Sequence, residues 1–255
     1  MTTHFIPPIR RKKWGRGHVY VDAADKRVPG VTTLVNDGVP KPALANYTGN
    51  QVAAYATNHW DELGDMPIAT RLKTLEDAKW ADRDAAASRG TEVHALAEKL
   101  LHGEQVTVPD ELAGHVESYA RFLDEWEPTP VIVESVVVNY THGYAGTLDS
   151  ILDIDHPLLG RTLADIKTNR SGIFGDIALQ LSAYRYAEQY ISEIGEQPMI
   201  AVDTCAAIHV RSDGYSLIPV TAGPAQFRAF LYAIQVAHFR SSSRELVGDE
   251  LTPYQ

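Results

Sequence analysis

Asp165 and Lys167 alternate with apolar residues in the run RTLADIKT. Successive side chains of a strand point to opposite faces, so the two charged groups share a face with Leu163, while Thr162, Ala164 and Ile166 point away. Asp149 lies in the preceding run, YAGTLDSILDI. Pairing these runs as a hairpin brings two carboxylates together, and they repel each other unless a cation stands between them. Oxygen donors of this kind suit Mg²⁺ or Mn²⁺. An ammonium beside such an ion orients or helps deprotonate an attacking water and offsets charge on a phosphorane-like transition state, which is phosphodiester hydrolysis in outline. Alone, Asp-Ile-Lys is a weak signal, because a charge pair on an exposed edge strand has the same spelling. Three features add weight. Gly146 precedes Asp149, where backbone can approach another group closely. His94 falls on the first turn of a helix opened by Gly90 and Thr91, with Glu98 one turn later on the same side. Gln180 and Tyr184 stand four apart on the helix that follows the lysine strand.

The elements that must position these residues follow from periodicity. Gly17 to Val31 alternates around an Asp25-Lys26 turn and reads as a small hairpin leading into Thr32, Thr33 and Leu34. Helical spacing then takes over: Leu44, Val52, Ala53 and Tyr55 mark one helix, Leu72, Leu75, Ala78 and Trp80 a second, and Val93, Leu96, Ala97 and Leu100 a third with Thr91 as its N-cap. A fourth spans Glu111 to Trp126 and stops before Pro128 and Pro130. Three neighbouring strands, VIVESVVVNY, YAGTLDSILDI and RTLADIKT, come next. GIFGDIALQLSAYRYAEQYISEIG reads as one helix stopped by Gly195; then follow the strands MIAVDTCAAIHV and YSLIPV around Asp213-Gly214, and a last helix from Pro224 to Arg244. Helices before and between strands argue for an α/β or α+β sandwich, with the helix after LADIKT crossing over the sheet. The expected division is a basic segment and small hairpin at 1–40, a helical region with His94 at 41–128, and a sheet-bearing core at 129–255, the last two forming one compact domain.

Composition removes several classes. Cys205 is the only cysteine, which excludes an internal disulfide, a four-cysteine zinc site and a cysteine-ligated iron–sulfur cluster. No apolar run approaches the roughly 20 residues needed to cross a bilayer, and the basic N-terminus lacks the apolar stretch of a secretory signal, so the expected location is the cytoplasm. The formal charge of −10 argues against general attraction to nucleic acid. A local patch can still bind phosphate, and Arg10, Arg11, Lys12, Lys13 and Arg16 form one such cluster, the alternative being a solvated tail. Trp14, Trp60, Trp80 and Trp126 offer stacking surfaces, although packing is the commoner fate of such residues.

GTEVHALAE, Glu134, GYAGTLDSIL, LADIKT and QLSAYRYA, in this order, resemble the successive motifs of the RecB-like nucleases of the PD-(D/E)XK superfamily, over roughly Gly90 to Glu188. VPGVTTLV, KPALANY and the compact length are similar to stand-alone phage exonucleases of that group. The resemblance implies an α/β fold of the restriction-endonuclease-like type, a mixed central sheet flanked by helices with a helical N-terminal region. It implies one or two Mg²⁺ or Mn²⁺ ions held by His94, Asp149, Asp165 and the backbone carbonyl of Ile166, with Lys167 as the catalytic lysine beside the two acids. Gln180 and Tyr184 would support the site and the DNA backbone, as would Glu98, and Glu134 would be an upstream acid of variable role. Relatives with an iron–sulfur cluster keep four cysteines that are missing here. The implied activity is a DNA exonuclease in phage recombination, replication or repair, in the host cytoplasm, beside a single-strand annealing protein, with a monomer and a homo-oligomer both open. The competing readings are a structure- or sequence-specific endonuclease and a catalytically silent DNA-binding module. Helices from Pro42 to Trp126 would roof the site and admit only a strand end.

Overall fold

A computed structural model describes residues 9–15 and 17–252, without the side chains of 42–45 and 80–85. Arg16 and the side chains of Leu44 and Trp80 therefore lie outside the described residues. Ten strands and seven α-helices follow in the order β1 (Ile9–Trp14), β2 (Gly17–Asp22), β3 (Arg27–Val28), α1 (Val31–Gly38), α2 (Pro42–Asn58), α3 (Trp60–Asp65), α4 (Ile68–Leu101), α5 (Ala113–Trp126), β4 (Thr129–Asn139), β5 (Tyr144–Ile154), β6 (Gly160–Lys167), α6 (Ile177–Arg185), β7 (Gln189–Ser192), β8 (Gly195–Pro198), β9 (Thr204–Arg211), β10 (Gly214–Pro219) and α7 (Pro224–Ser242). Seven strands form one sheet in the order β10-β9-β6-β5-β4-β7-β8, antiparallel except for the parallel pair β6 and β9. The first three make a small antiparallel sheet. This is the expected mixed sheet flanked by helices.

Ile151 and Leu152 are consecutive and both fully buried, as are Leu163 and Ala164, which is the pattern of strands covered on both faces. Ile151, Leu163 and Cys205 pack in one cluster with Leu34 of α1, Leu181 of α6 and Phe230 of α7. Leu152, Ala164 and Ile208 pack on the other side with Ala97 of α4 and Phe122 of α5. Two glycines permit the closest approaches. A side chain on Gly38, at the end of α1, would overlap the backbone of Ala233 in α7, and one on Gly114 would overlap the carbonyl of Ser212 after β9.

The register aligns the acids. Val133 pairs with Ser150 and Ser135 with Leu148, so Glu134 stands opposite Asp149. Ser150 pairs with Ala164 at the end of the β5–β6 ladder, so Asp165 lies one step beyond it, again opposite Asp149. Glu134, Asp149 and Asp165 therefore occupy one row across three adjacent strands. Alternation slips at that row. Ile132 and Val137 share a cluster although five apart, and so do Leu148 and Ile151 although three apart; odd separations contradict strict two-residue alternation. The slip in β4 coincides with Glu134, whose φ of 43° is left-handed.

Several expected elements are corrected. The helix expected to start at Gly90 is instead the continuation of α4, and the Thr91 hydroxyl donates back to the Ala87 carbonyl at 3.0 Å rather than capping. The helix after β6 ends at Arg185, because Tyr190 and Gln189 pair with Val137 and Val138 of β4 and open a hairpin whose turn runs through Gly195 at φ 117°. The last strand run narrows to β9, starting at Thr204. Arg10 to Lys13 form part of β1, paired with β2, and not a tail. Helix α1 packs on α6 and α7, so residues 31–38 belong to the core rather than to an N-terminal unit. Among the described residues no helix is long and apolar enough to cross a membrane.

The two kinds of glycine should respond oppositely to alanine. Gly38→Ala must push α1 from α7 and should lower stability by about 1–3 kcal/mol. Gly49 in α2 faces open space, and Gly49→Ala should raise stability by up to about 1 kcal/mol through helix propensity. Urea midpoints moving in the same direction for both variants would contradict this packing.

Candidate active site

Helix α4 reaches the row of acids because Gly90 has no side chain: a Cβ there would come 3.2 Å from Thr168 Oγ1, just past the end of β6. About one turn further along, His94 turns its ring to Asp149, with Nδ1 3.5 Å from Oδ2. The same Asp149 oxygen accepts the backbone N–H of Ile166 at 2.7 Å, so this carboxylate caps the strand edge that the ended ladder leaves free. In a strand, the N–H and C=O of one residue leave the same edge, which directs the Ile166 carbonyl toward the site as well. His94, Glu134 and Asp149 each offer a ligand atom, all within 4.8 Å of one another.

Asp165 is almost fully buried and held differently. Its Oδ1 accepts Gln180 Nε2 at 2.8 Å, and the same amide donates to Tyr184 Oη at 3.3 Å. Its Oδ2 is 2.6 Å from Lys167 Nζ, an ion pair by distance; the direction is wrong for a hydrogen bond, leaving that oxygen without a hydrogen-bond partner. The four-residue spacing of Gln180 and Tyr184 thus sets a relay behind the acid. Gly146 makes room for it, since a side chain there would collide with the Tyr184 ring.

Charge in this cluster is shared unevenly. Burial opposes ionisation of Asp149, but His94, Lys167 and the Ile166 amide outweigh it and hold the carboxyl below its usual range. Burial, with the charge of Asp149, pushes Asp165 above that range despite Lys167. Glu134 is pushed up to about 7 by burial and by Asp149. Burial pulls His94 down, yet Asp149 and Asp165 prevail and raise it to about 9. Lys167, opposed by burial but favoured by Asp165 and Asp149, stays above its ordinary value and is firmly cationic.

The expected residues are thus brought together. His94, Glu134 and Asp149 form a cluster that could hold a metal ion, and Asp165 beside it contacts Lys167 and Gln180. Glu98 is half-buried outside that cluster and acts through its charge, which helps raise Glu134. The basic strand is divided. Arg10 and Lys12 pair with Asp25, whereas Arg11 reaches Glu134 at 3.5 Å. The small sheet also contributes Tyr20, whose hydroxyl shares a hydrogen with Thr147 Oγ1 at 2.8 Å and with His18 Nε2 at 3.1 Å. The alternation of His18 and Tyr20 in β2 was the available signal for this wall. Trp14 lies under the Arg27 guanidinium, Trp126 donates to Tyr215, and Trp60 is exposed. Beside Lys167 and Gln180 an open pocket is lined by Thr32, Asn36, Lys41 and Phe174.

The donor set fits a hard divalent cation. Two carboxylates and an imidazole converge without a thiolate, and the Ile166 carbonyl edge is free. No protein-family model and no curated protein matches the chain, so the geometry carries the functional argument.

Cation binding should displace protons. With its pKa raised from 6.5 to about 9, His94 is protonated at pH 7, and its pairing stabilises the metal-free fold fully below about 6.5, the contribution disappearing as pH rises through about 9. Mn²⁺ must take a neutral ring, so its affinity should climb between pH 7 and pH 9. Calorimetric titrations at pH 7 in buffers of different ionisation heat should report proton release, and Asp149→Ala should lose binding. Heats independent of the buffer would contradict the assignment.

Proposed function

We propose that the chain is a Mg²⁺- or Mn²⁺-dependent DNA exonuclease that hydrolyses phosphodiester bonds. The observation that carries this reading is the row of Glu134, Asp149 and Asp165 across β4, β5 and β6, with His94 on one side and Lys167 beside the last acid. A module that only binds DNA gains nothing from three carboxylates facing phosphate, since they repel it. A divalent ion would be held by His94, Glu134 and Asp149, with the Ile166 carbonyl, and would supply Lewis acidity to the scissile phosphate and lower the pKa of water.

The protein's own groups divide the remaining work. Lys167 stays protonated, so it acts as a donor and a positive charge toward the transition state and not as the base. Asp165, held above the usual carboxylate range at its elbow, is the better proton acceptor for the attacking water. Gln180 fixes the orientation of that carboxylate through Oδ1. Water forms the new P–O bond, the bond to the leaving sugar oxygen breaks, and the products are a phosphomonoester and a hydroxyl.

Preference for a strand end is supported by what surrounds the site. Helix α7 packs on the core, and among the described residues no separate unit is set aside for reading base edges in a groove. Helix α4, with α2 along it, and the small sheet carrying Arg11 and Tyr20 flank the acids. Helix α5 packs on β9 and β10, so it does not contribute to the roof expected over 42–126.

With Mg²⁺ and equal amounts of linear duplex and relaxed, covalently closed circles, the linear form should be consumed to mononucleotides or short oligomers. Rapid linearisation of the circles would replace the exonuclease reading with an endonuclease. Lys167→Ala should lower turnover by about 10²–10⁴-fold while leaving Mn²⁺ binding intact; near wild-type cleavage by that variant would remove Lys167 from the chemistry.

A further inference from the structure

Most cations around the site already have a carboxylate. Arg11 pairs with Glu134, Lys41 with Asp176, Lys167 with Asp165 and Arg211 with Asp213. Arg89 and Arg170 do not, and they make no ion pair among the described residues. The chain segments that carry them meet. Arg89 immediately precedes Gly90, the point at which α4 touches Thr168, and Arg170 follows Thr168 by two residues. Residues 168–170 are anchored from below, because the buried His209, paired in register with Lys167, hydrogen-bonds the Asn169 carbonyl at 2.8 Å. Helix α5 supplies a third group. Gly114 seats its first turn against Ser212, and the next residue, His115, has a shielded Nδ1 with no hydrogen-bond partner. Burial first, then the charges of Arg89 and Arg170, lower the His115 pKa, so both guanidiniums lie near that ring.

Two unpaired guanidiniums at one helix–strand contact are an arrangement that gains Coulomb energy when an anion completes it. The site lies at the strand end that carries Lys167, and along α4 the five steps from Arg89 to His94 span about 7.5 Å. We infer that Arg89 and Arg170, with His115 beside them, form a seat for a non-scissile phosphate of the substrate strand, next to the phosphate that is cleaved. The inference rests on the reading of the site as acting on a phosphodiester chain. It also answers the charge problem: a protein of net charge −10 whose acids face the scissile phosphate needs local cations to retain the strand. The seat recognises phosphate and not base, so it holds any sequence.

The test uses the full chain and a fluorescent single-stranded DNA oligonucleotide, with anisotropy read in chelator so that no cleavage intervenes. Arg89→Gln with Arg170→Gln should weaken binding at least tenfold and flatten the dependence of log K on log salt by about 0.7 for each arginine lost. Arg89→Lys with Arg170→Lys should restore most of the slope, which a folding defect would not allow. Arg228→Gln with Arg244→Gln, two exposed positions at the α7 end of the molecule, removes the same net charge and should change little. An unchanged affinity and slope in the first pair, or an equal loss in the second, overturns the seat. The two readings separate cleanly. If the first pair still binds and the wild type degrades DNA, the seat falls and hydrolysis stands; if binding is lost as expected but the wild type cleaves nothing with Mn²⁺, hydrolysis falls and the seat stands.

Discussion

Electrostatic repulsion within the row of acids governs the rest of the molecule. Ligand atoms of Glu134 and Asp149 lie within 4.8 Å, where two full negative charges would repel by about 3–4 kcal/mol at the effective dielectric of a protein. Without an added cation the fold meets this cost from its own side chains. His94 is held charged by Asp149, Lys167 lies against Asp165, Arg11 approaches Glu134, and Glu134 and Asp165 both resist ionisation. Each counter-charge comes from a different element: α4, β6 and the small sheet. The architecture brings these elements to one row, where His94, Glu134 and Asp149 could hold a metal ion.

Backbone geometry makes the row usable. The β5–β6 ladder stops at Ser150 and Ala164, and Asp149 takes over the freed Ile166 amide, so the strands remain joined while the carbonyl edge opens. Two glycines set the clearances. Gly90 lets a helix touch the end of a strand, at a cost of about 1 kcal/mol in helix propensity, and Gly146 lets the Tyr184 ring approach β5. Gly90 precedes His94 by one turn on α4, and the hydroxyl of the Tyr184 ring that Gly146 admits accepts the Gln180 amide.

Much of this was legible in the sequence where period and burial agree. The runs that became β4, β5 and β6 are apolar and β-branched, and the two-residue spacing of Asp165 and Lys167 fixed their common face. The four-residue spacing of Gln180 and Tyr184 gave their shared hydrogen bond in the same way. Errors arose where partners distant in sequence decide. Ala187, Tyr190, Ile191 and Ile194 carry helical spacing, but pairing of Tyr190 with Val137 wins over it. Gly90-Thr91 spells a helix start, yet α4 runs through because tertiary contact with Thr168 offsets the propensity. Glu134 drew little weight for a related reason: nothing local marks it, and only the register sets it opposite Asp149. The basic strand misled through its charge, since pairing with β2 was hidden by four consecutive cations.

Glu134 has a consequence beyond the site itself. A left-handed conformation costs a residue with a Cβ of order 1–3 kcal/mol, whereas glycine or asparagine adopts it with little penalty. At this one position the side chain that could hold a cation and the side chain that relaxes the backbone are different residues. Variants selected for heat resistance alone would drift toward glycine here and lose that carboxylate, while variants selected to bind a cation would keep the strained acid and the lower melting point. The most stable form of this fold and the form best suited to a cation are therefore different sequences.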